Sequence, residues 1–220
     1  MSFSFTNRTG GQSTGAFASL NLGLHVEDRT DDVLANRGVL EAKYGPIQFM
    51  NQVHGDRIAV IEEVTQEFPT ADALVTGIPG ITLAVMVADC IPLLLKSNEV
   101  VAAVHVGRRG LVNEITRKTI ALMKEMGALH ITAIFGPAIC GGCYEVSQEL
   151  HDEVTASHPF AKSITHEGKP ALDIVSALRI VLADEGVAVQ DKFTCTVESQ
   201  EHFSYRRDGK TGRQAGLISL

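Results

Sequence analysis

The stretch ITLAVMVADCIPLLLKSNEVVAAVHVGRRGL, from Ile81 to Leu111, decides the fold of this chain. Its first apolar run, Ile81 to Val87, has the length and the branched side chains of a buried strand, and it leads to Cys90. A second apolar run, Val100 to Val104, leads to His105. The polar tetrapeptide KSNE lies between them and predicts a turn. The stretch therefore predicts neighbouring strands that carry a thiol and an imidazole.

The position of the turn determines which residues of the two strands face each other. A two-residue loop at Ser97-Asn98 places Cys90 directly opposite His105. Directly opposed Cβ atoms lie about 4.5–5.5 Å apart, a distance that suits two ligands of one metal ion. A loop one residue later sets Cys90 against Gly107 instead. We favour the first register, and the second remains the alternative.

Length and composition favour one domain. A chain of 220 residues with 45% hydrophobic content can bury one substantial core. We therefore expect a single domain covering residues 1–220. Strands and helices follow one another without the regular alternation of a doubly wound sheet, so the expected class is α+β with mixed sheets.

Charge and hydropathy restrict the partners. The net charge of −7 and the pI near 5.6 argue against nucleic acid as the main partner. The N-terminus has no apolar h-region, and Asp89 and Pro92 interrupt the longest apolar run, so we expect neither secretion nor a membrane span. The expected location is the cytoplasm. Four cysteines, scattered at positions 90, 140, 143 and 195, do not resemble a disulfide framework.

Three residues form a candidate metal site. Cys90 and His105 end neighbouring strands, and His54 precedes a Gly-Asp turn. A single cysteine or histidine is more often structural than functional, so the hypothesis depends on the combination. Three ligands of these types leave zinc an open fourth position, which is the arrangement of catalytic sites.

Two other motifs attract attention. Cys140-Gly-Gly-Cys143 has the spacing of a zinc-binding or redox pair, but a second such pair is missing. We therefore predict an ordinary glycine-rich loop there. Arg206 and Arg207 lie in the basic segment SYRRDGKTGR, where guanidinium groups can bind phosphate or carboxylate. The GKT triplet lacks the glycine spacing of a nucleotide-binding loop.

Several segments together resemble one known family. They are FTNRTGGQSTGAFASLNLGLHV, NQVHGD, ADALVTGIPGITLAVMVADCIPLLL, AAVHVGRRGL, FGPAICGGCYEV and FSYRRDGKTGR. They resemble the polyphenol oxidase/laccase-domain family, which is associated with purine nucleoside phosphorylase activity. The resemblance implies zinc bound by His54, Cys90 and His105, and mixed sheets sandwiched between helices in four layers, α/β/β/α. It also implies phosphorolysis of adenosine and inosine, with adenosine deamination as a further activity.

One segment departs from that family. Relatives usually carry HAGWRG, whereas this chain reads HVGRRG from His105 to Gly110 and contains no tryptophan. Arg109 keeps the arginine position, and Arg108 replaces the aromatic ring. A nucleoside phosphorylase must hold an anionic phosphate, so we expect the anchor among four arginines. These predicted substrate-binding residues are Arg37, Arg109, Arg206 and Arg207.

Three alternatives remain open at this point. Cys90 and His105 can also act as the nucleophile and base of a hydrolase. A protein that uses zinc only to tie strands together is the non-enzymatic alternative. A multicopper oxidase needs many histidines, and this chain has eight with no His-x-His pair, so copper ranks below zinc. Purine nucleosides and phosphate are the expected partners, and the sequence does not define an oligomeric state.

Overall fold

Two mixed β-sheets form the centre of the computed structural model, which describes residues 2–220. The strands are β1 (Ser2–Phe5), β2 (Ile47–Gln48), β3 (Ile58–Val60), β4 (Ala73–Thr76), β5 (Thr82–Val87), β6 (Ile91–Lys96), β7 (Val101–Val106), β8 (Thr132–Phe135), β9 (Lys162–Ile164), β10 (Pro170–Leu172), β11 (Ala188–Asp191) and β12 (Gln214–Ser219). One sheet has the order β1-β12-β5-β2, and a larger one has the order β11-β8-β6-β7-β4-β3. Strands β9 and β10 form a separate ribbon.

Helices cover the outer faces of both sheets. They are α1 (Thr30–Tyr44), α2 (Arg108–Val112), α3 (Ile115–Glu125), α4 (Gln148–Ser157), α5 (Ile174–Asp184) and α6 (Tyr205–Asp208), with short 3-10 turns at Gly15–Phe17 and Pro159–Ala161. Within residues 2–220, none of these helices has the length and apolar character needed to cross a bilayer.

Side-chain alternation along β6 explains the layers. Leu93 and Leu95 pack into the core under helices α2 to α5, whereas Leu94 packs against the second sheet. A strand that is buried on both faces needs an uninterrupted apolar run, which β6 has. On the far side of the smaller sheet, Leu40 of α1 packs against Leu217 of β12 in a third core. The predicted α+β class with four layers, α/β/β/α, is confirmed.

The register predicted for β6 and β7 is wrong, and the alternative is the observed one. Pro92 pairs with His105, so the two-residue loop is Asn98-Glu99. The Ser97 hydroxyl explains the choice, since it accepts hydrogen bonds from the Val100 N–H at 3.0 Å and from the Glu99 N–H at 3.2 Å. A serine that closes a turn on its own backbone fixes where that turn begins.

Local charge and backbone conformation shape two of the helices. Helix α1 begins at Thr30, and Asp31 and Asp32 lie in its first turn. Carboxylates are favourable there because the helix dipole is positive at that end. The helical stretch after β7 is divided into α2 and α3, because Glu114 adopts a left-handed conformation with φ of 60°.

Candidate metal centre and its cavity

Three metal-competent side chains meet beside the start of β6 and the end of β7. Ligand atoms of His54, Cys90 and His105, called here the three-ligand site, all lie within 4.8 Å of one another. The Cys90 Sγ is 3.9 Å from His54 Nε2, and the two imidazole ring centres are 4.7 Å apart. The sequence predicted this convergence, although the register behind it was wrong. Moving the loop by one residue keeps Cys90 and His105 on the same face, since their pairing partners shift by two.

Asp72 organises the site, and the sequence analysis missed it. Its carboxylate is fully buried and accepts a hydrogen bond from His105 Nδ1 at 2.8 Å. It also accepts backbone N–H groups from Val53, His54 and Gly55 at 3.2, 2.9 and 2.7 Å. A His105 ring that donates through Nδ1 leaves Nε2 free as a ligand. The sequence signal was a lone aspartate inside the apolar segment Ala71-Asp-Ala-Leu-Val75.

Close backbone packing lets Cys90 reach the site. Asp89 has φ of 92°, so the chain bends just before β6 begins at Ile91. A Cβ atom at Gly107 would lie only 2.9 Å from Cys90 Sγ. Glycine is therefore required at this position, because any side chain there would displace the thiol.

Charges inside the site favour an ionised thiol. Burial alone raises the pKa of Cys90, but the neighbouring His105 and His54 outweigh it and lower the pKa to about 6. Burial lowers the pKa of His105, yet Cys90 and Asp72 more than compensate and raise it to about 9. The thiol and the imidazole therefore form an ion pair at neutral pH when no cation is bound.

The donor set fits a zinc ion. Zn–S and Zn–N bonds of roughly 2.3 and 2.0 Å at a tetrahedral angle place sulfur and nitrogen about 3.5 Å apart. The 3.9 Å between Cys90 Sγ and His54 Nε2 is within a few tenths of that value. Asp72 supplies the carboxylate partner that zinc-binding histidines usually have. One thiolate and two imidazoles also suit copper, so the donor types alone do not determine the metal.

A cavity of about 630 Å³ opens beside the three-ligand site, and all three ligands line it. Apolar wall comes from Met86, Val87 and Ile139, and Tyr144 adds a phenol. Burial and the nearby Cys90 charge raise the pKa of Tyr144, so its hydroxyl stays protonated. The size and mostly apolar lining are typical of small-molecule sites.

Three arginines give the cavity a positive wall. They are Arg108, Arg206 and Arg213. Among residues 2–220, the arginine ion pairs involve other guanidinium groups, and these three have no carboxylate within salt-bridge distance. The Arg206 guanidinium lies over the Tyr144 ring at 5.3 Å. Cations that are not neutralised inside a cavity are suited to bind an anionic ligand.

The predicted substrate arginines are placed differently from one another. Arg206 lines the cavity, whereas Arg37, Arg109 and Arg207 do not. The Arg37 guanidinium is buried 3.9 Å from the centre of the Phe49 ring and donates to the Leu22 carbonyl. Arg109 is exposed on α2.

Arg207 is used to hold a loop. It donates to the carbonyl groups of Thr196, Ser199 and His202 at 2.8–2.9 Å and pairs with Asp208 at 2.8 Å. These bonds saturate most of its guanidinium, so its predicted role toward substrate has no geometric support.

Comparison with known families matches residues 2–220 to the family described as multi-copper polyphenol oxidoreductase laccase. The chain is 42% identical to the purine nucleoside phosphorylase of Streptomyces coelicolor over 99% of this chain and 95% of that protein. It is 42% identical to the purine nucleoside phosphorylase of Corynebacterium glutamicum, over 98% and 93% of the two chains.

Solved structures show the same architecture. A crystal structure of protein NMB0706 from Neisseria meningitidis superimposes with a TM-score of 0.91 at 38% identity and covers 99% of this chain and 93% of that one. YlmD from Geobacillus stearothermophilus gives a TM-score of 0.87 at 32% identity, over 98% and 90% of the two chains.

Proposed function

The chain belongs to the multi-copper polyphenol oxidoreductase laccase family, and we infer that it is a zinc-dependent purine nucleoside phosphorylase. It would convert adenosine, inosine and related nucleosides, with phosphate, into free base and ribose 1-phosphate. Relatives that match nearly the whole chain carry that name. The observation that carries the proposal is the three-ligand site on the wall of a cavity that also holds unpaired arginines.

Phosphate would bind at the positive wall. Arg206 and Arg108 can each present two parallel N–H groups to phosphate oxygens, and Arg213 adds a third cation. Arg108 occupies the place of the aromatic residue that relatives usually have, so this chain gains a cation where a ring is common. The apolar wall at Met86 and Ile139 suits the flat face of a purine.

The reaction is a displacement at the C1′ atom of the sugar. A phosphate oxygen forms a bond to C1′ while the bond from C1′ to the base nitrogen breaks, and its electron pair stays on the base. The proton that hydrogen phosphate carries is transferred overall to the base. The arginines hold the anion in line with C1′, and the protonated Tyr144 hydroxyl can donate a hydrogen bond to the substrate.

The three-ligand site would hold the metal through His54, Cys90 and His105, with Asp72 fixing the His105 ring. A bound zinc ion supplies a Lewis acid and activates water, which is the nucleophile that adenosine deamination requires. Deamination is therefore a proposed side activity of the same centre. We prefer one zinc ion to a multicopper centre, because several copper ions would need several histidine clusters. Residues 2–220 offer a single cluster that contains histidines and opens to a cavity.

The test measures base release from adenosine and inosine with and without phosphate, together with the metal content of the purified protein. We expect base and ribose 1-phosphate in equal amounts, only with phosphate present. Equal rates without phosphate would make the protein a nucleosidase.

Replacement of Arg206 by lysine should raise the phosphate KM, because lysine keeps the charge and loses the paired donors. Arg29→Lys, on the exposed start of α1, is the matched control.

A matched pair of neighbouring arginines tests the sequence prediction against the cavity. Arg108 lines the cavity and Arg109 is exposed outside it. If the cavity wall binds phosphate, Arg108→Lys raises the phosphate KM and Arg109→Lys leaves it unchanged. The opposite result would return Arg109 to the role predicted from the sequence.

One observation favours a second candidate function. Cys90, His105 and Asp72 form a thiol, imidazole and carboxylate series in which the pKa of the thiol is lowered to about 6. This is the arrangement of a cysteine hydrolase. A metal-free protein that hydrolyses esters or amides, and loses this activity after alkylation of Cys90, would establish that alternative. A zinc-loaded protein that turns over no substrate would support the non-enzymatic alternative.

A further inference from the structure

A second group of metal-competent side chains lies apart from the three-ligand site. It consists of Cys140, Cys143, Cys195 and Glu198, called here the cysteine cluster. One ligand atom from each residue lies within 4.8 Å of all the others. The sequence predicted an ordinary loop at the first two cysteines because a partner pair was missing. The fold supplies the missing ligands from a distant segment of the chain.

Backbone hydrogen bonds bring the two segments together. The loop after β8 pairs with the segment before α6, since the Ala138 N–H donates to the Thr194 carbonyl and the Thr196 N–H donates to the Ala138 carbonyl, both at 3.0 Å. A tight turn then places both cysteines of the loop on one side, because the N–H of Cys143 donates to the Cys140 carbonyl at 3.1 Å. The cluster is therefore positioned by the main chain.

The two glycines between the paired cysteines let the loop pack closely against its neighbours. A Cβ at Gly141 would lie 2.8 Å from Asp173 Cβ and from Ser163 Oγ. A Cβ at Gly142 would lie 2.8 Å from His166 Nε2. The loop that carries the two cysteines therefore packs against β9, the turn after it and the cap of α5.

We propose that the cysteine cluster binds a zinc ion of its own in a closed, four-ligand structural site. Tetrahedral zinc with Zn–S and Zn–O bonds of roughly 2.3 and 2.0 Å places sulfur and oxygen about 3.5 Å apart. Glu198 Oε1 is 3.8 Å from Cys140 Sγ and 3.6 Å from Cys143 Sγ. These distances already match the edges of such a tetrahedron to within a few tenths of an ångström.

The donor chemistry selects zinc. Three thiolates and one carboxylate form a soft, anionic set, and a site with four protein ligands leaves no position for substrate. His166 Nε2, 3.6 Å from Glu198 Oε1, can orient the carboxylate.

A zinc ion here would fasten two walls of the cavity. The loop that carries Cys140 also carries Ile139 and Tyr144, which line the cavity. The segment that carries Cys195 also carries Thr196, whose hydroxyl donates to Asp89 at 2.6 Å. Binding at the cysteine cluster would therefore hold the substrate-facing loop in place without touching substrate.

The first test counts zinc in variants that lack the three-ligand site. Purified Cys90→Ser protein should retain one zinc per chain, and adding Cys143→Ser should remove it. Glu198→Gln in the same background should weaken zinc binding at least about tenfold, whereas Glu201→Gln, an exposed glutamate nearby, should not change it. The proposal is overturned if the Cys90→Ser protein contains no zinc, or if the double variant keeps it. Because activity is not the readout, the result is independent of the proposed enzyme function.

The second test uses the unmodified chain and separates zinc from a disulfide. Cysteines are alkylated in the native protein and identified by mass spectrometry, first alone, then after a chelator, then after a reductant. Zinc binding predicts that Cys140, Cys143 and Cys195 are protected until the chelator is added. Protection that only a reductant removes would show a disulfide and contradict the proposal, and so would full alkylation at the start.

Discussion

The three-ligand site and the cysteine cluster use similar side chains in opposite ways. The first has three ligands, opens to a cavity of about 630 Å³ and is backed by the buried Asp72. The second has four ligands and joins two loops. Three ligands leave a coordination position for chemistry, whereas four ligands complete a tetrahedron. In the roles proposed here, the number of ligands and the access to the cavity, more than the residue types, distinguish the catalytic centre from the structural one.

The two sites also differ in the pKa values of their cysteines. Histidines lower the pKa of Cys90 to about 6, so this thiol is already ionised at neutral pH. The cysteine cluster contains no cation of its own, and burial and neighbouring thiols raise the pKa of Cys143. The first site is prepared for exchangeable ligands, and the second requires a permanent cation to be stable in ionised form.

The largest expected effect is the loss of turnover when the three-ligand site loses its thiol. Cys90→Ser should reduce phosphate-dependent base release more than about 100-fold. Loss of a direct metal ligand lowers activity more than loss of a residue that only hydrogen-bonds to a ligand. The melting temperature should change little, since a chain of this size draws its stability from its core. Steady-state kinetics and thermal denaturation check both parts. An active Cys90→Ser enzyme would remove the distinction between the two sites.

A somewhat smaller loss is expected at the partner of His105. Asp72→Asn should lower zinc affinity and turnover by roughly 10–100-fold, because the amide cannot hold the His105 ring and three backbone N–H groups equally well. Titration with a competing chelator measures the affinity. Asp173→Asn, at the cap of α5, is a control for the general effect of losing a partly buried carboxylate hydrogen bond. Equal effects of both variants on zinc affinity would contradict the assigned role.

The cysteine cluster should respond in stability rather than in chemistry. Cys143→Ser should lower the melting temperature by roughly 5–10 °C, as expected for a loss of about 2–3 kcal/mol in a chain of this size. Turnover per folded molecule should stay within about threefold, because substrate does not reach these ligands. Thermal scans and kinetics on the same preparation provide the comparison. A variant that is fully stable but inactive would place the cluster in the chemistry.

The smallest expected effect concerns thiol reactivity in the metal-free protein. The thiolate is the reactive form, and a lowered pKa makes it dominant above the pKa. Alkylation of Cys90 should therefore rise through about pH 6 and be level at pH 7–8. Alkylation of Cys143 should still increase above pH 9, because its pKa is raised. Rates from mass spectrometry over pH 5–10 test the difference, and identical profiles would contradict it.

The sequence predicted which three metal-competent side chains meet better than it predicted their geometry. Apolar runs predicted the strand that carries His105, whereas Cys90 lies in a bend between β5 and β6, and the predicted run before it forms β5 of the other sheet. The turn position depended on the Ser97 hydroxyl, a local bond that hydrophobic pattern does not encode. The error had no effect on the site because both registers place the two residues on one face. Asp72 was missed because its role depends on hydrogen bonds from residues 53, 54, 55 and 105, which only the folded chain brings together.

The positions of the arginines and of the cysteine cluster could not be predicted from the hydrophobic pattern or the residue spacing of the sequence. Arg108 and Arg109 are neighbours on α2, and the hydrophobic pattern did not indicate which of them would face the cavity. Cys195 lies far along the chain from Cys143, and the two meet only through the pairing of Ala138 with Cys195. Long-range contacts of this kind depend on the packing of complete sheets, which spacing within one segment does not reveal.

The four hydrogen bonds of Asp72 have a consequence for how the metal is acquired. They fix the backbone at His54, where φ is 59°, and the ring of His105 without help from an ion. Because the site is preorganised, an ion can leave and return without refolding of the chain. We therefore expect the folded protein to lose its zinc to a chelator and to regain it in the same pocket.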